Sequence, residues 1–174
     1  MEMTIPKIPV GRWAADGFDW LETNLAIVFD TLSLLLEGMI DGILWLLQTP
    51  PELVVIADLA GLTYALQRRW QPALLVALGF LFVLNQGYWE ETTESLTLVL
   101  SACVVCMGVG VPIGIAVAHR PKLYAWVAPV LDLMQTLPTF VYLIPAIVFF
   151  GIGMVPGLIA TVIFVLPAPI RLTQ

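Results

Sequence analysis

Charge is what this sequence has least of. Only 11% of its 174 residues are charged and 60% are hydrophobic, whereas soluble domains carry about 25% charged residues. That scarcity excludes an ordinary soluble domain and implies several membrane spans. Lysine is confined to Lys7 and Lys122, and neither follows glycine. No GxxxxGK[ST] phosphate loop therefore exists, and any nucleotide chemistry must lie on another chain. Histidine is confined to His119, and the two cysteines, Cys103 and Cys106, form a CxxC in an apolar stretch. A zinc site needs about four ligands, and His119 lies too far along the chain to complete one, so no metal is expected. A redox dithiol needs an accessible thiolate, which burial in a membrane opposes. The CxxC reads as two small packing residues. Ser101 and His119 fall about five helical turns apart, beyond any nucleophile–base hydrogen bond, so an enzyme is not expected. The net charge of -6 says little about partners, because its distribution matters more than its sum. No nucleic-acid partner is expected.

Long apolar runs are what the sequence does have. A bilayer core about 30 Å thick takes about 20 helical residues, or about 17 at the short end. Five segments approach this: 53–68, 71–87, 95–118, 123–151 and 155–171. The first is short and holds Asp58. Between them lie RRWQP, GYWEETTE, HRPK and GMVPG, all polar or turn-forming. The fold class is all-α, a polytopic membrane protein. If the five spans alternate, Arg68, Arg69, Arg120, Lys122 and Arg171 share one side. Basic residues in short loops mark the cytoplasm. Glu90, Glu91 and Glu94 fall on the other side.

Residues 24–48 are long enough to span, yet Asp30, Glu37, Asp41 and Gln48 project within about 40° of one another on a helix. Three acids in one stripe are costly at the bilayer centre. An amphipathic helix lying in the interface escapes that cost, with Phe29, Trp45 and the leucines towards lipid. Its acidic face suits the outer leaflet, because the inner surface is negative. The alternative is a sixth span whose stripe packs on partner helices. The organisation predicted is a tail over 1–23 on the extracytoplasmic side, an amphipathic interfacial helix over 24–48 and two accessory spans over 53–87. Three core spans follow over 95–174.

Within the core, Gly110 and Gly114 form a GxxxG, which lets helix backbones approach closely inside a membrane. The segment MQTLPTFVYLIPAIVFFGIG, Met134 to Gly153, is the puzzle: it carries polar groups and two prolines through an apolar span. If 132–142 stays helical, Asp132, Gln135, Thr139 and Tyr142 make one stripe about 80° wide. Pro138 and Pro145 each remove an amide and free a carbonyl, kinking the helix. Such groups are tolerated at membrane depth where they line protein or a watery cavity. The stripe reads as part of a translocation path, a dimer seam or an interhelical hydrogen-bond cluster. Asp132 sits about three turns from HRPK and is expected to reach the interface and pair with Arg120 or Lys122.

The run MQTLPTFVYLIPAIVFFGIGMVPGLIATVIFVLPAPIRLT resembles the core of permease subunits from glycine betaine/proline betaine ABC importers. The likeness runs through Met134, Gln135, Thr136, Pro138, Phe140, Val141, Tyr142, Leu143 and Pro145. It continues through Phe150-Gly151-Ile152-Gly153, Val155-Pro156-Gly157, Pro167 and Arg171-Leu172-Thr173. VGVPIGIAVA upstream is similar to that family's first core helix. The resemblance implies half of a type I importer. Two permease copies form the path, two separate ATPase subunits hold ATP and magnesium, and an extracytoplasmic solute-binding protein delivers the compatible solute. It implies a bacterial-type inner membrane, and Gln135, Thr139, Phe140 and Tyr142 as candidate path residues. Choline, carnitine or proline would suit the same motif. Members of the family continue past RLT into a coupling helix, whereas this sequence stops at Gln174. The expectation is a chain truncated before the coupling motif and inactive alone. The alternative is a non-transporting structural or regulatory half-permease.

Overall fold

The structure, a computed structural model, describes residues 10–174. Eight helices follow one another: α1 Val10–Gln48, α2 Glu52–Gln67, α3 Trp70–Asn85, α4 Trp89–Ala118, α5 Pro121–Thr136, α6 Phe140–Phe150, α7 Met154–Val165 and α8 Pro167–Thr173. Among the described residues there is no strand.

Proline and glycine place the boundaries. Pro50-Pro51 follow α1, with no proline within it, so its 39 described residues run uninterrupted. At 1.5 Å per residue it is about 58 Å long. Its described part already includes Val10 to Thr23, where the sequence reading places a tail; the first nine residues of that tail lie outside the described residues. α2 and α3 have 16 residues each, about 24 Å, shorter than a hydrocarbon core. Arg68 closes α2 in the left-handed conformation, φ 54°, and its amide donates to the Tyr64 carbonyl. Gly87 takes φ 77° in the turn into α4.

α4, with 30 residues, is long and apolar enough to cross a membrane, and so is the continuous Met154–Thr173 made by α7 and α8. The fourth span expected from the sequence, 123–151, is not one straight helix: Lys122–Thr136 and Phe140–Phe150 meet at a bend of 94°. These elements make the chain a multi-pass membrane protein.

Two apolar clusters hold the helices together. Ile40, Ala102, Val155 and Leu158 join α1, α4 and α7. Leu47, Val55, Ile56 and Trp89 join α1, α2 and α4, with Phe80 of α3 edge-on to Trp89 at 6.2 Å. α1 belongs to both. Its Phe29 stacks on Phe149 at 4.7 Å and meets Phe150 edge-on at 5.5 Å, at the C-terminal end of α6. Its last residue, Gln48, donates from Nε2 to Thr93 Oγ1 at 2.8 Å, near the start of α4. α1 thus crosses the end of the bundle where α6 finishes and α4 and α7 begin.

Candidate functional site

The break between α5 and α6 follows from one local rule. A residue before proline is pushed out of the α region by the proline ring. Leu137 obeys it, with φ -80° and ψ 139°, and α5 stops at Thr136. Pro138 and Thr139 turn the chain and α6 restarts at Phe140. The expectation of one helical stripe from Asp132 to Tyr142 is therefore wrong: it needs an unbroken helix, which Leu137 denies. Asp132 and Gln135 stay on α5, Thr139 caps α6 and Tyr142 lies one turn inside it. α6 runs on through Pro145.

The end of α5 is satisfied in an economical way. The Leu133 carbonyl accepts the Leu137 amide at 3.2 Å, the Thr136 hydroxyl at 3.2 Å and the Tyr142 hydroxyl at 3.1 Å. It is one of the last carbonyls of the helix, which have no intrahelical partner when a helix ends alone. Tyr142 thus reaches back across the bend and ties α6 to α5. Gln135, Thr139 and Phe140 are exposed, Phe140 by 74%.

Asp132 pairs with Arg171 of α8. This corrects the expected pairing with Arg120 or Lys122, and the reason is helix register. α4 and the α7–α8 helix run parallel: Gly157 lies 4.0 Å from Leu98 by its would-be Cβ, Gly110 lies against Pro169, and Gly114 against Thr173. The last turn of α8 thereby reaches α5 beside Asp132, while Arg120 and Lys122 remain at the start of α5. An acid and a base paired inside a spanning region are the expected arrangement there, since neither is tolerated alone in lipid. Arg171 is the site residue that sequence reasoning missed; its only signal was a lone cation following PAPI.

The same register explains the glycines. A Cβ at Gly110 would lie 2.7 Å from Pro169 Cγ, and at Gly114 2.7 Å from Thr173 Cβ and 2.8 Å from the Ile170 carbonyl oxygen. Only glycine permits that approach. Cys106 is buried in this seam and donates from Sγ to the Val162 carbonyl at 3.7 Å, whereas Cys103 is exposed. Among the described residues no cluster of three metal-ligating side chains exists. Higher on α4, Thr97 and Ser101 bury hydroxyls that have no hydrogen-bond partner among the described residues. Their spacing of four from Thr93 was legible as one face, but not its burial.

Known proteins resemble the chain over nearly its whole length. The chain is 38% identical over 174 residues to the glycine betaine/carnitine transport permease protein GbuB of Listeria monocytogenes, covering 98% of this chain and 61% of that protein. It is 38% identical over 169 residues to the glycine betaine transport system permease protein OpuAB of Bacillus subtilis, covering 97% and 60%. The chain is a homologue of the glycine betaine transport permeases. The glycine betaine/proline betaine permease protein ProW of Escherichia coli is 36% identical over 170 residues, covering 95% of this chain and 47% of that protein. The chain therefore spans about half to three fifths of the length of these permeases. No family model matches it. The likeness to glycine betaine permeases extends through α1 to α3, well beyond the core run that carried the resemblance in the sequence.

Proposed function

We propose that this chain forms part of the solute path of an ATP-driven importer for compatible solutes of the glycine betaine and proline betaine class. ATP and magnesium are held by a separate ATPase subunit, an extracytoplasmic binding protein delivers the solute, and a second permease copy completes the path. The end carrying Arg120, Lys122 and Arg171 faces the cytoplasm of a bacterial-type inner membrane, and the start of α1 lies outside it. Homology to permeases of this class supports the solute and the assembly.

The observation that carries the reading is the bend at Leu137–Pro138–Thr139. In a lipid environment a helix interruption is tolerated only where other protein or water satisfies the backbone. Here the Tyr142 hydroxyl ties the two sides of the bend together at the Leu133 carbonyl, and the neighbouring Gln135, Thr139 and Phe140 are exposed. A quaternary ammonium solute can slide past an aromatic face without the loss of a hydrogen bond, because it has none to donate, and cation–π attraction holds it there. Its carboxylate meets the Gln135 amide and the Thr139 hydroxyl, both of which can donate.

The test is cysteine labelling in the complete transporter, in a background with Cys103 and Cys106 replaced by alanine. Single cysteines at 135, 139 and 140 are expected to react with a water-soluble thiol reagent, and to be protected when glycine betaine is being transported. Failure of all three to react in every nucleotide state would remove these residues from the path.

A further inference from the structure

At the start of α5, Arg120, Lys122, Leu123 and Trp126 line an open cavity of about 690 Å³. Two cations flank it, and among the described residues neither has an ion-pair partner; Asp132 is taken by Arg171. His119 does not contribute, because its Nδ1 is 2.7 Å from the carbonyl of Ile115 on its own helix. Above the cations an exposed apolar ridge continues along one face of α5: Trp126 (81% exposed), Val130 and Leu133. Their spacing of three to four residues puts them one above another. From Lys122 to Leu133 the ridge rises about 16 Å, close to the depth of one leaflet of a core about 30 Å thick.

We propose that this groove seats an anionic phospholipid, with its phosphate between Arg120 and Lys122 and one acyl chain along Trp126, Val130 and Leu133. The charge and the length argue for this occupant together. A phosphate needs fixed donors and finds two cations without carboxylates; an acyl chain needs an apolar track of leaflet depth and finds one directly above them. Trp126, one turn above Lys122, sits at the level where an indole spans the boundary between headgroup and chain. The site holds a lipid of the leaflet that meets the Arg120 end, and it fixes the approach to the bend at Leu137, where the ridge stops.

The test uses the membrane complex purified from cells through a tag on this chain. It is titrated in detergent with phosphatidylglycerol or phosphatidylcholine, and retained lipid is read by native mass spectrometry. Phosphatidylglycerol is expected to bind more tightly than phosphatidylcholine. Arg120→Gln and Lys122→Gln are each expected to weaken phosphatidylglycerol binding by about fivefold, and about 25-fold together. The same substitutions should leave phosphatidylcholine binding unchanged. Arg68→Gln with Arg69→Gln, a basic pair elsewhere, should change neither. Equal retention of the two lipids by the unaltered complex would overturn the proposal, because the groove would then be merely apolar. So would phosphatidylglycerol binding that survives loss of both cations. A co-purifying subunit that shields Lys122 from amine labelling and excludes the lipid would overturn it too, making this end a protein interface.

Discussion

The α4–α8 seam and the α5–α6 bend are both built from proline in apolar helices, yet they come out opposite. Pro112 lies inside α4, and Pro167 and Pro169 open α8, without bending either partner out of the helical region; Leu166, before Pro167, keeps φ -50° and ψ -35°. Leu137, before Pro138, leaves it entirely. The difference lies in the neighbours. At the seam, Gly110 and Gly114 let α8 settle directly on α4, with Pro167 and Ile170 buried, so packing overrides the local preference of the backbone. At Pro138 the flanking Thr136, Thr139 and Phe140 are exposed, and Leu137 is only half-buried. A proline in a membrane helix is therefore a choice left to the contacts around it: close packing keeps it straight, and an open edge lets it break.

Five substitutions break or sharpen that contrast. The largest effect is expected at the bend. With Pro138→Ala the restriction on Leu137 disappears, and α5 and α6 can join. Spin labels at positions 126 and 147 should move apart from about 22 Å towards the roughly 31 Å of a straight helix, and solute uptake by the complete transporter should fall with that straightening. An unchanged distance would mean that the exposed edge, and not the proline, maintains the bend. At the seam, Gly114→Val meets the Ile170 carbonyl, backbone that cannot give way. It should cost about 3 kcal/mol or more, seen as loss of the folded complex in detergent melting. Gly108 in the same helix has nothing within 4 Å of its would-be Cβ, so Gly108→Ala should instead be neutral or stabilise by about 0.5–1 kcal/mol. Equal damage at both positions would dissolve the seam as drawn.

Asp132→Asn links the two regions, because its partner Arg171 stands on the seam helix and Asp132 on the bent one. A cation left without its acid in a membrane should cost about 2 kcal/mol. The exchanged pair Asp132→Arg with Arg171→Asp should restore part of it, and restoration is what the melting measurement must show. The smallest loss of stability belongs to Tyr142→Phe. It removes one hydroxyl from the three donors at the Leu133 carbonyl and should cost about 1 kcal/mol. A wider distribution of distances between labels at 126 and 147 should accompany it.

Composition alone made the all-α membrane character legible, and the order of residues from Met134 to Thr173 made the family legible. The site was harder. Treating 132–142 as helical was a natural use of 100° spacing, but spacing cannot say whether a proline bends a helix or ends it. That depends on what packs against Leu137, which no local pattern carries. Asp132 was assigned to the nearest cations in sequence, whereas the parallel register of α4 and α8 brings Arg171 instead; register between distant helices is set by Gly110 and Gly114 only once their partner is known. The glycine spacing was legible as a contact and silent about which helix makes it. Three acids in one stripe were the reason to read the helix ending at Gln48 as interfacial, and it is not among the helices long and apolar enough to cross a membrane. Its helical residues reach back at least to Val10, well before the change in polarity near Asn24.

α1 touches the end of α6 through Phe29, the α4–α7 core through Ile40, and the start of α4 through Gln48. A stiff rod pinned at those places makes the position of α6 readable from a distance. Whenever the elbow at Leu137 flexes, Phe29 is carried with the tip of α6 while Gln48 stays anchored. The rod then swings about Ile40 and carries its N-terminal part through a larger arc. A fluorophore near residue 20 would therefore register, amplified and outside the path itself, each opening of the elbow.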